Sequence, residues 1–265
     1  MNQRATAFTA LGLAVIAGCG AGDGGDKGGG TTPGALCDEG GFEPGPAPIR
    51  RLTRVEYNNT VFQLLGDNSR PADEFVADGE ALGFSNQAVA LSTSTLLVEQ
   101  WSEAAEVLSE GAVDRVLKDA PSCKAPINES SCRAEVTDII GAFGTRAFRR
   151  PLDEHEAQVH ADLFDAGAAL DGGFDPREGM RLVIEAMLQS PHFLYRVEFG
   201  QTTPVDGDVV ELTSWEMATR MSYLFWNTMP DAALLEAAAN DELRTAAQIE
   251  AQARRMVVAP RARRP

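Results

Sequence analysis

The sequence predicts a mainly α-helical protein: a multi-helical, bundle-like body of about eight helices behind a disordered Gly/Pro-rich tether. Three observations predict it. Helix-start signals recur along the chain from Ile49 onward. Each is followed by apolar residues at helical spacing, and strand signals are scarce, with Val209 to Leu212 the one modest candidate.

The start signals are Thr53-x-x-Glu56, Asp153-x-x-Glu156, Asp175-Pro176-x-Glu178, Thr213-x-x-Glu216 and Thr245-x-x-Gln248. In each, a short oxygen side chain accepts from an orphan N–H while Glu or Gln reaches back. They place helices at about 54–65, 93–118, 132–147, 154–170, 176–189, 214–227, 231–239 and 246–258, with ends good to a few residues. Helix 176–189 carries the stripe Met180, Val183, Ile184, Met187 and Leu188. Pro191 stops it, because the residue before a proline avoids the helical region. Helix 214–227 is apolar on most sides and is expected to be the central buried helix.

Charge and size bound the function. The chain has 265 residues, 23 Lys+Arg and 39 Asp+Glu, for a formal net charge of −16. That balance argues against nucleic acid as a partner and against docking on anionic lipid by charge. No apolar run reaches the roughly 18–20 residues that span a bilayer.

The first 48 residues read as an address. Ala5 to Ala17 is an apolar signal core, too short to span. It runs into Ile16-Ala17-Gly18-Cys19, which resembles the lipobox of bacterial lipoproteins. The resemblance implies cleavage before Cys19 and lipid on its sulfur. With Gly20 rather than Asp next, an outer membrane is the expected location. Gly20 to Pro48 holds 11 Gly and 4 Pro in 29 residues, a flexible tether of about 30 Å reach. Cys37 lies in it without an evident partner. Cys123 and Cys132 flank a short loop and are expected to pair in an exported chain.

Several constellations suggest chemistry and fail on spacing. His155 and His160 are five residues apart, about 140° out of phase on a helix, so they do not share a metal. Ser190 precedes His192 without a nucleophile elbow. Glu99, Glu103 and Glu106 read as a solvated face. Asn86 with Asp78 and Glu80 lacks calcium-loop spacing. No metal is expected. Arg146, Arg149 and Arg150, at a helix C-terminus, are expected to pair with interior acids or to hold an anion. Arg149, Arg150, His192, Tyr195, Trp215 and Arg220 form the candidate ligand or packing cluster. No catalytic residue is assigned.

Three strings resemble a known set of domains. Arg51-Leu52-Thr53-Arg54-Val55-Glu56-Tyr57 looks like the opening of the planctomycete-specific domain numbered three. Ala147-Phe148-Arg149-Arg150-Pro151-Leu152 with Ser190-Pro191-His192-Phe193-Leu194-Tyr195-Arg196 looks like the domain numbered five. Leu212-Thr213-Ser214-Trp215-Glu216, through Met229-Pro230-Asp231 to Arg254-Arg255-Met256, looks like the start of the domain numbered four. The expected organisation is therefore a signal peptide (1–18), a tether (19–48), domains over 49–120 and 121–203, and an interrupted third over 204–265. The five arginines of residues 254–265, without an acid, add to the impression of truncation.

The resemblance implies an exported, lipid-anchored cell-envelope protein of unknown molecular function. The expected role is a binding or assembly module in extracellular macromolecule use, with polysaccharide or envelope redox proteins as partners. Two alternatives stay open. One is the N-terminal part of an oxidative, cytochrome-linked enzyme whose haem would sit in missing C-terminal modules, no cofactor being expected in this chain. The other is a non-functional fragment.

Overall fold

The computed structural model describes residues 47–201 and 209–263. The signal peptide, Cys19, Cys37 and nearly all of the tether lie outside the described residues.

The described residues form nine α-helices and one two-stranded ribbon, so the protein is mainly α. The ribbon pairs β1 (Arg50–Arg51) antiparallel with β2 (Tyr195–Arg196), Arg50 opposite Arg196 and Arg51 opposite Tyr195. The helices are α1 (Arg54–Leu65), α2 (Thr95–Val116), α3 (Glu129–Phe148), α4 (Glu154–Ala168), α5 (Pro176–Gln189), the single turn α6 (Pro191–Leu194), α7 (Ser214–Trp226), α8 (Ala232–Ala239) and α9 (Ala246–Val258). Reciprocal capping boxes start α1, α4, α7 and α9. Asp175 caps α5 from one side only, because Glu178 turns instead to Arg181.

Most of the interior is one apolar core built from α1 to α6, which also takes in Tyr223 and Met229. The helix at its centre is α5, not α7. Met180, Val183, Ile184, Met187 and Leu188 are all fully buried, and α5 packs chiefly on α2 and α4. Gly179 makes the close crossing possible: a Cβ there would stand 2.5 Å from the Phe164 carbonyl oxygen. The expectation for α7 failed because apolar residues on most sides do not require burial on most sides. Leu224 is 72% exposed, and Trp215, Met217 and Phe225 are only half-buried. A smaller core joins α7, α8 and α9 around Met221, Trp226, Leu234, Leu243 and Met256.

Two further expectations are corrected or completed. Among the described residues Val209 to Leu212 does not form a strand: Val209 is a single bridge residue, and Glu211 accepts from the Gln201 N–H at 2.7 Å. Cys123 and Cys132 are joined by a disulfide, with S–S 2.03 Å.

Candidate functional site

The end of α3 sets the site. Arg149 adopts a left-handed conformation, φ 61°, unusual for a side chain of this size. It terminates the helix and turns its guanidinium inward, where only 3% of the residue is exposed. There it donates to the carbonyl oxygens of His192 (2.6 Å), Tyr195 (2.8 Å), Phe193 (3.2 Å) and Ala147 (3.3 Å), and to the Tyr223 hydroxyl (3.4 Å). The expected acid partner is not there. The guanidinium instead collects carbonyls left free where α6 gives way to β2, which satisfies donors and acceptors together.

Arg150, next in the chain, does find an acid. It binds Glu156 through two hydrogen bonds, Nη1 to Oε2 at 2.8 Å and Nη2 to Oε1 at 2.7 Å. Glu156 is also the reaching residue of the α4 capping box, accepting from the Asp153 N–H at 2.9 Å. The Arg150 hydrogen bonds pull the Glu156 carboxyl down to about 2 against its burial. His192 Nε2 lies 3.4 Å from the same carboxylate. Its ring is tilted against Phe148 at a centroid distance of 5.3 Å. Burial, and then the charge of Arg150, push the His192 pKa below its ordinary value, so the imidazole stays neutral at neutral pH.

The opposite wall comes from α7 and the segment before it. Glu216 closes the α7 capping box on Thr213 and accepts with its other oxygen from the N–H groups of Phe199 (2.7 Å) and Gly200 (3.0 Å). Gly200 has φ +70°, and a Cβ there would meet Val210 at 2.5 Å. One carboxylate thus fixes both the helix start and the strand of chain facing it.

Between these walls lies an open cleft of about 320 Å³. It is lined by the rings of Phe148, His192, Tyr195, Phe199 and Trp215 and by Arg149 and Arg150. Tyr195 is held by a hydroxyl bond to Thr93 at 2.8 Å and an edge-to-face contact with Trp101. The structure therefore brings five of the six cluster residues into one cleft. Arg220 stands just outside, bound bidentately to Glu198 at 3.0 and 2.5 Å.

Three family models match the chain in series. PSD3, protein of unknown function DUF1587, matches residues 50–114. PSD5, protein of unknown function DUF1595, matches 135–198. PSD4, protein of unknown function DUF1592, matches 212–265. The chain carries the PSD3, PSD5 and PSD4 domains. No curated protein and no solved structure matches it.

With the domains named, the cleft falls between PSD5 and PSD4. Beneath it a single hydrogen-bond chain joins all three. Arg149 of PSD5 donates to the Tyr223 hydroxyl of PSD4. Tyr223 donates to Thr60 Oγ1 of PSD3 at 2.9 Å, and Thr60 donates to the Glu56 carbonyl at 2.7 Å. Sequence reasoning missed Phe148, Phe199, Thr213 and Glu216 as cleft residues. Thr213 and Glu216 were visible as a helix start, and their second duty had no signal.

The remaining constellations have structural places. His160 is buried with Nδ1 on the Glu156 carbonyl at 2.6 Å, while His155 is exposed. Ser190 Oγ accepts from the His192 N–H and caps α6. Glu99, Glu103 and Glu106 are exposed on α2. Asp78 binds Arg51 Nη1 and the Arg54 N–H, both at 2.7 Å. Among the described residues no helix is long and apolar enough to cross a membrane.

Proposed function

We propose that this chain is a lipid-anchored protein of the cell envelope, held by lipid on Cys19 at the outer membrane, and that it acts as a binding module in extracellular macromolecule use. Its ligand face is the cleft, and the ligand is a polysaccharide. One observation carries this reading: five rings from α3, α6, the segment after it and α7 surround a single open cleft. Rings in that arrangement offer apolar faces to the C–H faces of a sugar, and a neutral imidazole and the Arg150 guanidinium supply hydrogen bonds at the rim. The hydroxyls of Thr213 and Thr219 serve α7 itself, Thr213 as its N-cap and Thr219 donating to the Trp215 carbonyl.

The test is affinity electrophoresis of the full chain in detergent with hydroxyethyl cellulose in the gel. The polymer should retard it, and Trp215→Ala should abolish the retardation. Unchanged migration of the natural chain refutes the reading. For the anchor, Cys19→Ser should move the chain from the outer-membrane to the soluble fraction; membrane recovery of the variant refutes it.

A further inference from the structure

We propose that a second depression beside the cleft is a carboxylate subsite, so that the polysaccharide this protein takes is an acidic one. The proposal rests on the reading of the cleft as a sugar site. The depression, of about 560 Å³, is lined by Arg50, Asn86, Gln87, Glu198 and Arg220 among others. It shares a wall with the cleft. Glu198 lies between Val197 and Phe199, which line the cleft, and Arg220 follows Thr219, which does the same. In this reading a chain of sugars seated on the rings crosses that wall into the depression.

One guanidinium here lacks the counter-ion that a ligand carboxylate would supply. Arg50 and Arg196 stand directly opposite each other across the ribbon, a pairing of like charges that ordinarily destabilises. Arg220 is a third cation nearby. Against these stand Glu198 and Glu56, both already engaged, and Glu216, which acts on Arg220 from one turn earlier in α7. Glu198 is spent bidentately on Arg220. Glu56, buried, lies 3.4 Å from Arg196 Nη1. Arg196 and Arg220 each have an ion-pair partner, and Arg50 has none among the described residues.

The unused donors are specific. Arg50 makes no side-chain hydrogen bond or ion pair among the described residues, and burial followed by the charge of Arg196 depresses its pKa. Arg196, 8% exposed and with Nε and Nη2 buried without a partner, does not line the depression and acts there only through its charge. An unpartnered, half-buried guanidinium is a planar fork matched to a carboxylate. A single unpaired guanidinium fits a singly charged uronic acid carboxylate better than a doubly charged phosphate. Asn86 and Gln87 add neutral amides suited to hydroxyl groups. In this arrangement Arg50 binds the carboxylate, and the Arg220–Glu198 pair positions the wall.

The same electrophoresis separates the possibilities, now with polygalacturonate or hydroxyethyl cellulose in the gel. The natural chain should bind polygalacturonate about ten-fold more tightly, a preference that 0.5 M salt should remove. Arg50 does not line the cleft, so Arg50→Gln should erase the preference while leaving the neutral polymer's effect intact. Arg50→Lys, which keeps the charge without the fork, should retain part of it. Matching thermal midpoints would show that both variants fold. Equal retardation by the two polymers, or an Arg50→Gln chain that keeps its preference, overturns the subsite and leaves the sugar reading standing. Retardation by neither polymer overturns both.

Discussion

The two cores of this protein are held by different forces. In the larger, α5 presents five aliphatic side chains, all fully buried, to α2, α3 and α4. Its charges stay on the outer row, where Arg181 bridges Glu178 and Glu185. The smaller core has eight buried apolar residues, three of them alanines. It compensates with a charged clasp. Arg255 and Arg261 lie over the Trp226 ring and both bind Asp231, which also caps α8. The smaller apolar core is thus supplemented by cation–π contacts and ion pairs. The difference teaches that the basic end of the chain, odd as sequence, is partly interior. The cleft lies where the two regions meet, so anything that loosens the smaller one alters the cleft wall carrying Trp215.

The largest effect is expected where the regions are joined. Arg149→Met should cost about 4 kcal/mol, because three or more buried carbonyls lose their donor at once. It also unlinks Tyr223. Two unfolding transitions should then appear in calorimetry, the smaller core melting first; a single transition with an unchanged midpoint would show the regions are not joined there.

Next is the larger core alone. Leu188→Ala should cost about 3 kcal/mol from lost burial and the cavity left behind. Denaturant melts should show a lower midpoint, with the smaller core failing at the same point because it has little of its own to stand on. A loss below about 1 kcal/mol would place the centre elsewhere than α5.

The sequence made the helices legible far better than their depth. The ranges expected for α1, α5 and α9 coincide with those observed, because caps are local chemistry. Which helix is central is not local. α5 is the buried one because α2 and α4 close on it, and Gly179 permits that approach. The ribbon was invisible, since Arg51 and Tyr195 lie far apart in sequence and two residues give no alternation. The cleft was half legible. Clustered arginines and aromatics flagged Arg149, Arg150, His192, Tyr195 and Trp215. Carbonyl partners leave no trace in a sequence, so Arg149 was expected beside an acid.

A smaller effect isolates the clasp. Asp231→Ala removes the α8 cap and the shared partner of two arginines, and should cost about 2 kcal/mol. Hydrogen exchange should quicken in α8 and α9 while α5 stays protected; equal quickening in α5 would deny the division. Burial raises the Asp231 pKa, but hydrogen bonds from Arg255 and the Leu234 N–H, with the charges of Arg255 and Arg261, outweigh it and hold the carboxyl below its ordinary 3.8. Its stabilisation is therefore present above 3.8 and lost as pH falls further.

The smallest effect falls on the cleft itself. Glu156, lowered from 4.5 to about 2, stabilises fully above 4.5, and that contribution disappears between 4.5 and about 2. The open mouth screens it, so the contribution is on the order of 1 kcal/mol. Glu156→Gln separates its two duties, because Gln still closes a capping box while the charge facing Arg150 and His192 is gone. The α4 helix should remain. The Glu156 carboxylate is one of the groups that raise the His192 pKa against burial and Arg150. Removing it should move the His192 titration, read by NMR, to still lower pH. An upward movement would mean that the carboxylate does not face the imidazole in solution, and the neutral rim of the cleft would need another cause.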